Sequence, residues 1–207
     1  MDFTLNDEQI MLIDTIRKMG EREKLRDQAK YIDATGKFPE HLMSKYAEMG
    51  LLGMCLGSEW GGSDQPALNA ILAVEELAKF SPIIAGPVFE SNVGPVRVVE
   101  QLGTDEQCRS VIPFVCSGEY SVSISMTEPN AGSDLTALTT RAVDLGDHYL
   151  LNGNKIFITG GGHASHYLVY ARVGDTPGYK GIGAILVEKG SPGFTFGKQE
   201  DFLGLRG

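Results

Sequence analysis

The residues best suited to holding a ligand lie between Ser121 and Asp134, in the run SVSISMTEPNAGSD. Val122, Ile124 and Met126 alternate with Ser121, Ser123, Ser125 and Thr127, the period of two expected of a strand with one buried face. The next seven residues, Glu128-Pro129-Asn130-Ala131-Gly132-Ser133-Asp134, cannot continue that strand. Pro129 has no backbone N–H, and Asn130 and Gly132 tolerate positive φ. A strand that runs into a turn of small residues gathers several N–H groups at one place, a nest suited to an anionic or carbonyl-rich ligand. A strand followed by an ordinary surface turn has the same composition.

Other groups with chemical potential are arranged less suggestively. Glu75 and Glu76 are adjacent in a helical stretch, where neighbours point about 100° apart, so they read as a solvated edge and not as a paired acid and base. His41, His148, His163 and His166 form no HExxH pattern, and no metal is expected. Cys55, Cys108 and Cys116 show no CxxC spacing and read as free thiols of a reducing compartment. Gly160-Gly161-Gly162 has neither the GxGxxG nor the GxxxxGK[ST] spacing and reads as a flexible turn.

Met126 to Asp134, MTEPNAGSD, resembles the TEPxAGSD signature of the flavin-dependent acyl-CoA dehydrogenases. Asn152 to Thr159, NGNKIFIT, resembles that family's NGxKxWIT, with Phe157 at the tryptophan position. Weaker matches run from LNDEQ near the N-terminus through Gly57 to Asp64, like PEExGG, to Gly204-Leu205-Arg206, like GxR. The resemblance implies an FAD site built from Ile124, Met126, Thr127, Gly132, Ser133, Phe157 and Thr159. Met126 and Thr127 would bond the flavin's pyrimidine edge, and Gly132 and Ser133 would approach the pyrophosphate or, for Ser133, the substrate. Phe157 and Thr159 would cover the ring and reach toward N5, and Phe157 keeps an apolar face while lacking the indole N–H.

The implied reaction is α,β-dehydrogenation of an acyl-CoA thioester by a flavin oxidoreductase that passes electrons to an acceptor protein. In the family the α-proton is taken by a carboxylate on a C-terminal helical bundle. No catalytic residue is assigned here, and Glu128 reads as part of the turn. The expectation is therefore part of a longer or split enzyme that is inactive alone and either forms homo-oligomers or pairs with a C-terminal half. Desulfinase, nitroalkane oxidase or enoyl-CoA reductase chemistry on the same scaffold is the alternative. A non-catalytic module binding CoA esters or a partner chain is another.

The elements that must position these motifs divide near residue 119. Residues 1–119 carry helical periods. Asn6 or Asp7 caps a helix bearing Ile10, Ile13, Ile16 and Met19, and Glu21 to Asp27 reads as its solvated face. Pro39 opens a helix with Leu42, Met43, Tyr46 and Met49 on one stripe, closed by Gly50, and Trp60 reads as a packing residue. A third helix spans about 68–80 with Ile71, Leu72, Val74 and Leu77 inward, and a fourth about 88–102 after Pro82 and Pro87. Thr104 and Gln107 make a capping box for a fifth.

After Glu119 the helical period disappears, and 15 of the 26 glycines fall in residues 120–207, as short strands joined by turns require. Strands are expected at 139–143, 167–173, 182–187 and 194–196. A hairpin is expected with Tyr149 to Leu151 and Lys155 to Thr159 flanking an Asn152-Gly153 turn. The fold expected is an all-α N-terminal domain, 1–119, followed by a small antiparallel β-barrel domain, 120–207, incomplete at its C-terminal end.

The net charge of −9 argues against nucleic-acid partners. It is uneven: residues 1–119 hold 11 basic and 19 acidic groups, residues 120–207 hold 7 and 8, so an anionic ligand meets little repulsion at the second part. No apolar run approaches the roughly 20 residues of a membrane span. Met1-Asp2-Phe3-Thr4 has no signal-peptide character, and a cytoplasmic location is expected.

Overall fold

The computed structural model describes residues 4–206. Met1 to Phe3, which enter the reading of the N-terminus, and Gly207, the last residue of the expected second domain, lie outside the described residues. The chain forms two compact units, one of residues 4–121 with 201–206 and the other Val122–Glu200. Helices fill the first and a sheet the second, as expected.

The helical unit contains α1 (Asp7–Arg22), α2 (Leu25–Thr35), α3 (His41–Glu48), α4 (Ala67–Ala78), α5 (Pro82–Asn92), α6 (Pro95–Leu102) and α7 (Asp105–Cys116). Local chemistry sets several of the ends. Asn6 Oδ1 accepts from Gln9 N at 2.9 Å while Gln9 Oε1 accepts from Asn6 N at 3.1 Å, and Thr104 and Gln107 repeat the exchange at α7. Pro82 and Pro95 each stand in the first turn, where a missing N–H costs nothing. The expected helix at 88–102 is therefore two helices, broken at Val93-Gly94. Glu21 to Asp27 is likewise not one solvated face: Lys24 turns left-handed at φ 53°, and Leu25 behind it is fully buried.

The core joins Ile16 and Met19 of α1, Leu25 and Ile32 of α2, and Leu42 and Tyr46 of α3 to α4 and α5. α4 faces it with Asn69, Ala70, Ala73, Glu76 and Leu77, while Ile71 is exposed. The small alanines let α4 pack against both α1 and α5, which displaces the expected stripe. Asn92 is fully buried. Its amide donates to Leu51 O and Val88 O and accepts from Cys55 N, pinning the loop after α3 to α5. Cys55, Cys108 and Cys116 are free thiols. Among the described residues no helix is long and apolar enough to cross a membrane.

The sheet unit contains β1 (Val122–Ser125), β2 (Arg141–Asp144), β3 (Tyr149–Asn152), β4 (His166–Val173) and β5 (Ile182–Glu188). β4 is central. β5 runs antiparallel along it from the Arg172–Ile182 pair to His166–Glu188. β1 pairs parallel with His166 to Val169 and β2 parallel with Arg172 and Val173, so these two must share the other edge of β4. β3 continues outward from β2. The sheet is open and mixed, not a closed antiparallel barrel. Closure would need β3 and β5 to meet, and among the described residues they do not pair.

The expected hairpin also moves. β3 pairs back onto β2 through 145–148, where Gly146 has φ 98° and Asp144 Oδ1 accepts from its N–H at 2.8 Å. Gly153 is not a turn residue: a Cβ there would stand 2.2 Å from Thr140 Oγ1, so it is glycine for close packing. Lys155 to Thr159 is a bend, and Phe194 to Phe196 is irregular, its two rings packing on Tyr167 at 5.0 and 5.3 Å.

Candidate functional site

β1 does not bury its apolar face alone: Val122 is buried, but so are the serines of the other face. Ser123 and Ser125 are buried, whereas Ile124 and Met126 are only half-buried. The reason lies in the neighbouring turn. Ser123 Oγ donates to Thr159 O at 2.6 Å, and a Cβ on Gly160 would come within 2.6 Å of Ser123 Oγ. Only a small side chain fits such an approach, and its hydroxyl satisfies a carbonyl that would otherwise be stranded. Ile124 and Met126 are left on the more open face.

Beyond β1 the chain closes a tight turn. Glu128 N donates to Ala131 O at 2.9 Å and Ala131 N to Glu128 O at 3.2 Å. Ala131 is buried, with Pro129 and Asn130 exposed at the tip. Gly132 and Ser133 follow on the surface, and among the described residues their N–H groups have no acceptor. A Cβ at Gly132 would meet nothing within 4 Å. Asp134 ends the turn by accepting from Thr136 N and Thr136 Oγ1.

The second motif lies alongside. Ile156 N donates to Thr127 O at 3.0 Å, and Lys155 Nζ donates to Met126 O at 2.9 Å. Between Ile156 and Ile158 the backbone turns left-handed, with Phe157 at φ 57° and 61% exposed. That is a costly conformation for an aromatic residue, of the kind that persists where surrounding structure enforces it. Ile158 O accepts from Gly161 N, and Tyr167 OH donates to Gly160 O and accepts from Gly162 N. The Gly160 to Gly162 segment, expected to be flexible, is tied down. Thr159 is exposed, with its carbonyl held by Ser123.

Residues 6–119 match the family described as "Acyl-CoA dehydrogenase, N-terminal domain", and residues 123–207 match "Acyl-CoA dehydrogenase, middle domain". The chain belongs to the acyl-CoA dehydrogenase family. It is 38% identical over its whole length to the short-chain specific acyl-CoA dehydrogenase of Clostridium acetobutylicum, of which it covers 54%. It is also 38% identical to an acryloyl-CoA reductase (NADH) of Anaerotignum propionicum, matching over all of its own length and 52% of that protein. A glutaryl-CoA dehydrogenase from Mycobacterium smegmatis, solved in complex with FADH2, superposes with a TM-score of 0.89 at 26% identity, over 98% of this chain and 50% of that one. The chain thus spans about half the length of the relatives it matches.

Within this acyl-CoA dehydrogenase framework, motif reading alone missed the group that joins the two signatures. Glu128, with a side chain 3% exposed, accepts from Lys155 Nζ at 2.8 Å and Thr140 N at 2.9 Å on Oε1. On Oε2 it accepts from Thr139 N at 2.7 Å and Thr139 Oγ1 at 2.8 Å. Burial opposes the charged form, but the hydrogen bonds from Lys155, Thr140 and Thr139 outweigh it and hold the carboxyl far below the usual carboxylate range. A carboxylate so engaged is not a general base, in keeping with its reading as part of the turn. A lone charged residue, Lys155, in an otherwise uncharged motif was the available signal.

Proposed function

We propose that this chain is the flavin-binding part of an acyl-CoA dehydrogenase-type oxidoreductase. The observation that carries the reading is the hydrogen bond from Ile156 N to Thr127 O. It lays the two signature segments side by side with Phe157 exposed. An isoalloxazine is a flat slab with an apolar face and a polar edge, attached to a pyrophosphate. Ile124, Met126 and Phe157 offer apolar contact, and Thr127 and Thr159 offer polar groups for the edge. The open N–H groups of Gly132 and Ser133 suit an anionic or carbonyl oxygen. The residues present fit the cofactor, with no Rossmann loop required.

Bound there, FAD would supply the hydride acceptor for α,β-dehydrogenation of an acyl-CoA thioester. This chain's residues would bind and orient it, with Ser133 also approaching the substrate. The α-proton needs a positioned base, which typically contributes roughly 10²–10⁴ in rate. We assign that base to the part of the relatives' length that this chain does not span. The electrons removed from the substrate would be destined for an acceptor protein, the second partner that this reading implies. The similarity to the acryloyl-CoA reductase favours the reverse direction as the second reading. The two are separated by whether enoyl-CoA reoxidises the reduced flavoprotein faster than acyl-CoA reduces the oxidised one.

The test is titration of the chain with FAD, followed by quenching of flavin fluorescence, beside Gly132→Val. Since a Cβ at Gly132 has open space, the variant should fold normally and bind FAD at least tenfold more weakly. Equal affinity of the two would remove the turn from the site, and no binding by the parent would overturn the reading.

A further inference from the structure

We infer that the Glu128–Lys155 ion pair is the positioning element of this site, locking the two signature segments in the single register that presents Thr127, Gly132 and Phe157 to one ligand. The ligand's identity rests on the reading above; the locking does not.

Three consecutive residues of the first segment are bound by two consecutive residues of the second. Met126 O and the Glu128 carboxylate both accept from Lys155 Nζ, while Thr127 O, between them, accepts from Ile156 N. A slip of one residue along either segment would break all three contacts. Both partners are withdrawn from water, with side chains 3% and 10% exposed. A lone charge at that depth is heavily penalised, so neither partner is stable in an arrangement that separates them. Thr139 and Thr140 donate to the remaining carboxylate positions and fix the start of β2 to the same point.

Two consequences reach the exposed surface. Phe157 follows directly on Lys155 and Ile156, and its left-handed backbone, φ 57°, is held between the Ile156 and Ile158 anchors. The pair also cancels the charge of Glu128, so an anionic ligand approaching Gly132 and Ser133 meets no net repulsion from that acid. Lys155 is thus a positioning residue, and it acts through the backbone that it holds.

The experiment compares amide hydrogen exchange in the ligand-free chain with FAD binding, for the parent, Lys155→Met, and the double variant Glu128→Gln/Lys155→Met. The double variant leaves no buried charge unpaired and keeps the fold testable if Lys155→Met alone unfolds the sheet unit. In the double variant the Ile156, Thr139 and Thr140 amides should exchange at least tenfold faster, with the amides hydrogen-bonded between β4 and β5 unchanged. FAD should bind at least tenfold more weakly with an altered visible absorption band. Parent-like protection of Ile156 would overturn the proposal. So would parent-like FAD affinity after protection has been lost. If the parent binds no FAD, the functional reading falls, while the exchange result still decides the locking role.

Discussion

Glu76 in the helical unit and Glu128 in the sheet unit are equally buried, each with a side chain 3% exposed, but they are neutralised from opposite directions. Glu76 is met by Arg17 at 3.0 Å and Lys79 at 2.5 Å, whose side chains are 49% and 52% exposed and reach in from solvent. Glu128 is met by a lysine almost as buried as itself and by backbone N–H groups of the strand start. The first arrangement has two long, half-exposed donors and keeps one when the other is lost. The second is made from the same backbone that forms the candidate site, and nothing in solvent can replace it. Both acids are held ionised below their usual range: burial opposes this, and hydrogen bonds from the cationic partners, with Thr140 and Thr139 for Glu128, overcome it.

The largest effect should come from breaking the sheet-unit pair. Lys155→Met strands a buried carboxylate and should destabilise the sheet unit by about 3–5 kcal/mol, whereas Arg17→Met should cost about 1 kcal/mol or less because its charge is half in water and Lys79 remains. Urea unfolding of the two variants, read by exchange in each unit, checks this. Equal costs would erase the distinction.

Acid titration sharpens it. A carboxyl whose folded pKa lies below its unfolded value contributes stability that is complete above the ordinary value of about 4.3 and is lost as the pH falls toward the folded one. The stability gap between parent and Glu128→Gln should therefore shrink as the pH drops from about 5 to about 3, and the gap for Glu76→Gln should shrink less. A gap that widens on acidification would contradict the assignment.

Smaller effects separate the units by mechanism. Thr104→Ala removes a reciprocal cap and should cost about 1 kcal/mol, detectable as faster exchange in α7. Gly132→Ala should change stability by less than about 0.5 kcal/mol, since the site is exposed and open. A large loss there would mean that the turn is strained in a way its geometry does not suggest.

How far each unit could be read from sequence follows the same division. The caps at Asn6 and Thr104 and the tight turn at Pro129-Asn130 depend on residues a few positions apart, and all are present, whereas α3 begins at His41, two residues after the Pro39 expected to open it. Glu76 was misread as solvated because periodicity places a residue on a face but cannot say which neighbour will pack there. The Asn152-Gly153 turn failed because Thr140, remote in sequence, needs the space at Gly153. The buried serines of β1 escaped alternation for the same reason: hydrophobicity predicts burial against apolar neighbours, not against a backbone turn.

The sequence by itself determined the change from helix to strand, which rests on composition and local order, and it carries the two signatures on which the resemblance to the family rests. Only the tertiary structure decided that β4 is central, that the sheet stays open, and that Glu128 and Lys155 join the signatures. Strand order and buried ion pairs are set by which distant segments lose their water together. That free energy belongs to pairs of residues far apart in the chain and leaves no mark on either one alone.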